Sequence, residues 1–395
     1  MQQQVLILGS TGSIDTNTLE VIDNNPAQYK VFGLTAKENV TKLLQQCIKY
    51  QPRYAFILDQ EKHQYLVDEL KKYNIKTQCL STIDELINLI AHNDLDIVMA
   101  AIVGIAGMMP VYHAILNNKK VLLANKEALV VGGKYIMQAL KNSTNAKLIP
   151  VDSEHNAIFQ CLNQQTNASQ VDYTIIKNII LTASGGALRD YSQQELANIT
   201  VAQALAHPNW SMGKKVTIDS STLMNKVLEL IEAYWLFGQN ASLLKVIIHP
   251  QSIIHSMVEY IDGSVIAQLG VPDMKTPISY ALAYPKRCNS GVASINWTTL
   301  SSLTFLEPDI SRFPCLNFAF EILKENNLIL ATVLNAANEI LVDAFIKEQI
   351  KFYDISNLLS KSLNKFNNGN LLHYNSIESL LQLDFETRSY VLQLI

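Results

Sequence analysis

Three carboxylates, Asp152, Glu154 and Glu229, stand among residue types that hold a cation on one side and an oxyanion on the other. Two carboxylates two positions apart plus a third from a distant segment make an all-oxygen donor set, suited to Mg²⁺ or Mn²⁺ rather than zinc. Glu229 closes the densest chemical stretch of the chain, residues 207–229, which also carries His207, Trp210, Met212, Ser220, Ser221, Asn225 and Lys226. Hydroxyls, an amide and an ammonium are the groups that grip a phosphate dianion. The chemistry suggested is a metal and a phosphate held side by side.

Strand ends and helix faces must bring these residues together. Lys147-Leu-Ile-Pro-Val151 reads as a buried strand delivering Asp152 and Glu154 at its carboxyl end, where open α/β sheets take their ligands. In extended chain the two side chains project the same way, and a helix is expected over residues 155–162. The same Asp-Ser-Glu run also fits a plain helix cap with first-turn charge. Residues 222–235 read as one helix from Leu223, Val227, Leu230, Ile231 and Tyr234 at helical spacing. That helix places Asn225 and Glu229 one turn apart on one face with Lys226 beside them. Ser220 and Ser221 are expected at its entry, where unpaired N–H groups favour an anion.

The amino-terminal region points to a dinucleotide. Val5-Leu-Ile-Leu8, then Gly9-Ser-Thr-Gly12-Ser13-Ile14, is a strand, a glycine turn and a helix start, with looser spacing than G-x-G-x-x-G. A second strand, Lys30 to Thr35, ends in Ala36-Lys37-Glu38-Asn39. No acid stands directly at that strand end for a ribose 2′-hydroxyl, whereas Lys37 could meet a 2′-phosphate, which favours NADP although Glu38 argues against it. Residues 96–103 read as a strand followed by Gly104 and Gly107, and Val121-Leu-Leu-Ala124 delivers Asn125-Lys126-Glu127. Three strand ends with glycines and polar residues converge on one cofactor site.

Taken together, these stretches resemble the 1-deoxy-D-xylulose-5-phosphate reductoisomerase family. The resemblance rests on Gly9-Ser-Thr-Gly-Ser-Ile14, Leu123-Ala-Asn-Lys-Glu127, Pro150-Val-Asp-Ser-Glu-His-Asn156, Ser184-Gly-Gly186 and the 207–229 stretch. His249-Pro-Gln-Ser-Ile-Ile-His255, Pro272-Asp-Met274 and Asn335-Ala-Ala-Asn-Glu339 extend it to about residue 345. It implies rearrangement of 1-deoxy-D-xylulose 5-phosphate and reduction by NADPH to 2-C-methyl-D-erythritol 4-phosphate, a step of isoprenoid synthesis. Asp152, Glu154 and Glu229 would hold Mg²⁺, Mn²⁺ or Co²⁺, acting as Lewis acid and template. Lys126 and Ser153 would contact the substrate near the metal, and Ser184, Ser220, Asn225 and Lys226 would hold its phosphate beside His207. Thr11, Gly12, Ser13, Ile14, Asn39, Asn125, Glu127 and Gly213 would contact the cofactor. Residues 184–214 would form a flap, with Trp210 and Met212 shielding the substrate from water. His255 reads equally well as a core histidine or a substrate contact. The family forms homodimers.

Two positions depart from the family pattern. Asp15 stands where a glycine usually follows Ser-Ile, and it is expected to weaken cofactor binding modestly. Lys37-Glu38 replaces a small residue followed by a basic one, and Lys37 is expected to preserve the NADPH preference.

The chain has 395 residues, more than one typical core, so two or three domains are expected. Residues 1–150 read as a doubly wound, Rossmann-like parallel sheet for NADPH. Residues 151–285 read as a central α+β catalytic domain, 286–314 as a linker with Pro308 and Pro314 just after Pro285, and 315–395 as a helical bundle. The fold class is therefore α/β with an appended helical domain. A net charge of −4 without a basic run gives no case for nucleic acid, and no apolar run reaches membrane-spanning length. Five scattered cysteines without CxxC spacing, and no basic-then-apolar leader, fit a reduced cytoplasmic compartment. Another NADP-dependent sugar-phosphate dehydrogenase would share the first domain but would not need three carboxylates beside a phosphate grip. A non-enzymatic descendant of the fold would have lost residues from that set, and none is missing.

Overall fold

The computed structural model describes residues 2–162, 171–210, 212–367 and 371–395. A seven-stranded sheet is built from β1 (Gln3–Leu8), β2 (Tyr29–Ala36), β3 (Tyr54–Ile57), β4 (Gln78–Leu80), β5 (Ile97–Ala100), β6 (Lys120–Leu123) and β7 (Lys147–Pro150). Its order is β4-β3-β2-β1-β5-β6-β7 and every pairing is parallel. The inner strands are apolar on both faces because crossover helices cover both; Val5, Leu6, Ile7, Ile97, Val98 and Met99 are fully buried. Strand order reverses between β1 and β5, which opens the crevice where such sheets bind ligands. The strand expected over residues 96–103 stops at Ala100. Beyond it the Asn125 side chain donates to the carbonyls of Ile102 and Gly104, which takes that backbone out of the sheet.

A second sheet comprises β8 (Ile176–Ala183), β9 (Leu244–Ile248), β10 (Ile254–Tyr260) and β11 (Val265–Leu269), ordered β11-β10-β8-β9. Only the β8–β9 pair is parallel. The helix Ser153–Cys161 packs on β10 and β11. It joins the two sheets, since it starts immediately beyond β7.

The helix Met224–Leu236 is the central strut. It packs against Glu127–Asn142 of the first sheet's layer and against Leu316–Lys324. Buried residues run almost all round it, as expected of a helix enclosed on every side. Gly133 permits the approach: a Cβ there would overlap the Trp235 indole. The helices Leu330–Ile346, Phe352–Asn367 and Ile377–Leu392 form the carboxyl-terminal layer. The segment 286–314 holds neither helix nor strand, apart from one bridge between Leu306 and Ile248. Its Arg312 donates to the carbonyls of Arg189 and Tyr191 and so ties the segment to the chain after β8.

Candidate active site

A cavity of about 350 Å³ lies beyond the carboxyl ends of β1, β5, β6 and β7 and under the second sheet. Asp152, Glu154 and Glu229 meet at its floor, each offering an oxygen within 4.8 Å of the others. Asp152 arrives as the cap of Ser153–Cys161, accepting from the Glu154 N–H at 3.3 Å. Glu154 is therefore in the first helical turn, not in extended chain, and Asp152 serves as both cap and cluster member. Two lysines offset part of the cluster's charge. The Lys126 ammonium lies 2.5 Å from Asp152 and 3.2 Å from Glu229, and it donates to Asn225 Oδ1 at 3.0 Å. Lys226 lies 2.8 Å from Glu154 and 2.5 Å from Glu229, and donates to the Thr182 carbonyl at 2.6 Å.

The electrostatics follow from burial. Burial raises the Asp152 pKa, but Lys126 and His155 outweigh it and hold the group well below the ordinary carboxylate range. Glu229, wholly inaccessible, is raised by burial and by the neighbouring Glu154 charge despite its two lysines. It is the carboxylate with most to gain from a further cation. A second ligand-like group, Asp152 with His155 and Glu232, lies behind the first and away from the cavity. The cavity-facing trio has three hard oxygen donors and fits Mg²⁺ or Mn²⁺.

The other end of the cavity can take an anion. His207 Nδ1 accepts from the backbone N–H groups of Asn209 and Trp210 at 3.2 and 3.0 Å, so its proton sits on Nε2. Nε2–H then donates to Ser184 Oγ at 2.9 Å, and the Gly186 N–H donates to the same oxygen at 3.1 Å. With both acceptor positions filled, the Ser184 hydroxyl proton is left to point at a ligand. Gly186, at φ +70°, packs so closely on the Ser220–Ser221 backbone that a Cβ could not fit, which brings Ser184 beside Ser220. Asn225 and Lys226 complete this wall, with the Asn225 amide donating to Glu229 at 2.5 Å.

The helix expected over residues 222–235 runs from Met224 to Leu236, and a separate helix precedes it. Lys214–Ser221 ends, Leu223 takes a left-handed φ of +62°, and Met224–Leu236 begins. Ser220 and Ser221 thus lie in the last turn of the first helix rather than at an entry, and the N-terminal turn beside the anion wall is that of Asn225 and Lys226. Leucine at positive φ is uncommon, and no local pattern announces it.

Trp210 and Met212 line the cavity, and the Trp210 ring lies 6.1 Å from that of His255, also in the wall. Within the flap expected over residues 184–214, Leu188 is buried in a turn and Leu196 and Ala204 in short helices, while Ser184, His207, Trp210, Met212 and Gly213 line the cavity. Ser211 lies outside the described residues. Asn209 fastens the 207–213 portion by donating to Pro250 O and Ser252 Oγ at 2.6 and 2.9 Å.

Ser13, Ile14, Asn125, Glu127 and Gly213 line the cavity where it opens toward β1, while Thr11, Gly12, Lys37 and Asn39 lie beyond its enclosed part. Gly9, at φ +94°, makes the turn after β1 as a dinucleotide site requires. Asn39 caps Val40–Tyr50, and the exposed Lys37 extends from the end of β2. Lys42, which no motif marked, binds the Thr11 carbonyl at 3.0 Å and Thr16 Oγ1 at 2.9 Å, bracing the turn. Asp15 is 1% exposed beneath this turn, and its Oδ1 has no partner. Burial raises its pKa well above the ordinary range, beyond what Lys42 can offset. Sequence reasoning also passed over Lys215 and Asp219, although their i,i+4 spacing was visible.

Models of the 1-deoxy-D-xylulose 5-phosphate reductoisomerase match residues 5–133, and models of its carboxyl-terminal domains match 148–237 and 269–390. The 1-deoxy-D-xylulose 5-phosphate reductoisomerase of Shewanella pealeana is 48% identical, covering 100% of this chain and 99% of its own length. That of Actinobacillus pleuropneumoniae is 50% identical over 90% of both chains. A crystal structure of DOX-P reductoisomerase with NADPH, fosmidomycin and magnesium superposes with a TM-score of 0.92 at 40% identity, covering 99% of this chain and 98% of that one. The Zymomonas mobilis enzyme with NADPH gives 0.90 at 39% identity, covering 100% and 99%.

Proposed function

The chain belongs to the 1-deoxy-D-xylulose 5-phosphate reductoisomerase family, and on that premise we propose that the cavity converts 1-deoxy-D-xylulose 5-phosphate to 2-C-methyl-D-erythritol 4-phosphate. The enzyme is an NADPH-dependent oxidoreductase of isoprenoid synthesis that uses a divalent metal. The observation that carries this reading is the convergence of three carboxylates, two buried lysines and a serine–histidine anion wall in one cavity.

Asp152, Glu154 and Glu229 would hold the cation, which supplies Lewis acidity to the sugar's carbonyl and hydroxyl oxygens during rearrangement. NADPH supplies the hydride. Lys126, bound to Asp152, Glu229 and Asn225, orients a substrate oxygen at the metal end, with Ser153 beside it. Ser184, Ser220, Asn225 and Lys226 take the phosphate, with His207 fixing the Ser184 rotamer. Lys226 links both ends, since it sits next to Asn225 and is ion-paired to Glu154 and Glu229. Trp210 and Met212 exclude water from the aldehyde formed between rearrangement and reduction. Thr11, Gly12, Ser13, Ile14, Lys37, Asn39, Asn125, Glu127 and Gly213 form the cofactor's surroundings.

The three-domain division at about residues 150, 285 and 315 is part of this reading, supported by the separate sheets and the carboxyl-terminal helices. A homodimer is supported by the edge strand β11, where Val265 and Ile266 are about half exposed beside the exposed Ile261. A cytoplasmic setting is supported by five free thiols. Among the described residues no helix is long and apolar enough to cross a membrane.

The test mixes the protein with the sugar phosphate, NADPH and Mg²⁺ and follows NADPH absorbance with and without a chelator. Metal-dependent oxidation of NADPH is expected, with the branched carbon skeleton of 2-C-methyl-D-erythritol 4-phosphate read from the product by NMR. No turnover with Mg²⁺, Mn²⁺ or Co²⁺ would sink the reading, and oxidation without skeletal rearrangement would favour a simple dehydrogenase.

A further inference from the structure

One lysine in the cavity has no part in the metal or phosphate ends. Lys215 stands in the first turn of Lys214–Ser221, where the helix dipole disfavours a cation, and Asp219 stands toward the end where it disfavours an anion. A lysine one turn before an acid is also the weaker order for a helical pair. Local helix preferences therefore do not account for either residue. Their tertiary partners do. The Lys215 ammonium lies 2.8 Å from Glu127 Oε1 and 2.9 Å from Asp219 Oδ2. Asp219, 1% exposed, accepts from the Asn338 amide at 2.8 Å, and Asn338 is fully buried in Leu330–Ile346.

The relay runs from the carboxyl-terminal helices to the first residue of the helix after β6 without a break. Its terminus, Glu127, is 6% exposed and faces the cofactor end of the cavity. An ionised carboxylate is a pure acceptor and can read the hydroxyl or amide donors of a dinucleotide; a neutral one could not do so with both oxygens. Burial opposes that ionisation, and Lys215 outweighs it.

We propose that Lys215 is the positioning residue of the cofactor site, holding Glu127 charged and aimed at NADPH, and that Asn338 sets Lys215 through Asp219. The third domain thereby contributes to cofactor affinity without touching cofactor. This rests on the reading of the cavity as an NADPH site.

The experiment measures NADPH affinity directly, by cofactor fluorescence without sugar phosphate, alongside melting temperature. Lys215→Met is expected to weaken NADPH about tenfold, the scale of one charge-assisted hydrogen bond. Lys215→Arg should recover most of that loss. Asn338→Leu should weaken NADPH by about threefold, and the Lys215→Met/Asn338→Leu double variant should be no worse than Lys215→Met alone, as members of one chain behave. The KM for sugar phosphate should stay within roughly twofold in each, because the relay's pairs include no residue of the metal end or the anion wall. An NADPH affinity unchanged in Lys215→Met, or equal losses for both ligands, would overturn the proposal. Should Lys215→Met fail to fold, Asn338→Leu with unchanged NADPH affinity would overturn it as well. Wild-type protein that did not bind NADPH would instead sink the reading of the cavity.

Discussion

The two ends of the cavity handle buried charge in opposite ways. At the metal end, three carboxylates and two lysines compensate one another, each ammonium bridging two acids within 3.2 Å. At the cofactor turn, Asp15 is as buried as Glu229, yet one of its oxygens has no partner and the cation beside it, Lys42, is committed to Thr11 and Thr16. Removing one member of a compensated cluster exposes the remaining charges, whereas removing the uncompensated acid relieves a strain. The same substitution type should therefore damage one end and improve the other.

Glu229→Gln is the sharpest break. It removes a metal-facing carboxylate and the shared partner of Lys126 and Lys226, and kcat should fall about 10³-fold, the upper scale for one electrostatic group. Turnover at saturating Mg²⁺, with circular dichroism confirming the fold, checks this. Lys226→Met should leave Glu154 and Glu229 facing each other and cost about 3–5 kcal/mol in metal-free protein, the penalty for half of a buried ion pair. Added Mg²⁺ should raise its melting temperature more than that of the wild type, and an equal rise would show that the lysine does not balance the metal-binding acids.

Ser184→Ala sharpens the view of the anion wall. It deletes the hydroxyl that His207 and Gly186 orient, and the KM for sugar phosphate should rise about tenfold with NADPH affinity unchanged. Asp15→Asn tests the opposite sign. The folded pKa of Asp15 lies above its unfolded value, so the protonated group contributes fully below the ordinary carboxylate range. That contribution is lost as pH rises through the elevated folded value. The variant should therefore be more stable than wild type by about 1–3 kcal/mol at alkaline pH, with the gap closing as acid is added. Denaturant melts across pH measure it; parallel curves would mean that Asp15 carries no unpaired charge. The smallest effect is expected from Lys37→Ala, a few-fold loss in NADPH-over-NADH selectivity, since an exposed, solvent-screened contact is worth about 1 kcal/mol at most.

Much of this is legible in the sequence. Val5-Leu-Ile-Leu8 and Val121-Leu-Leu-Ala124 announce parallel strands because both faces are apolar, and Gly9 after β1 marks a turn needing positive φ. Chemistry at strand ends follows from the same local rule, so Asp152, Asn125, Lys126 and Glu127 could be marked as site residues by position alone.

What only the tertiary structure decided lies between residues far apart in the chain. A left-handed turn at Leu223 separates Lys214–Ser221 from Met224–Leu236, so Ser220 lies in the last turn of one helix and Asn225 in the first turn of the next. Lys226 is shared between acids 72 and 3 positions away, and Lys215 joins Glu127 and Asp219 to Asn338, 119 positions beyond Asp219. Asp15 stands out in the sequence as a departure at the cofactor turn, but its burial with an unpartnered oxygen follows only from the packing. Periodicity and turn chemistry act over a few residues and are written in the sequence. Which buried charge faces which is set by how helices and sheets pack, and no local pattern encodes that.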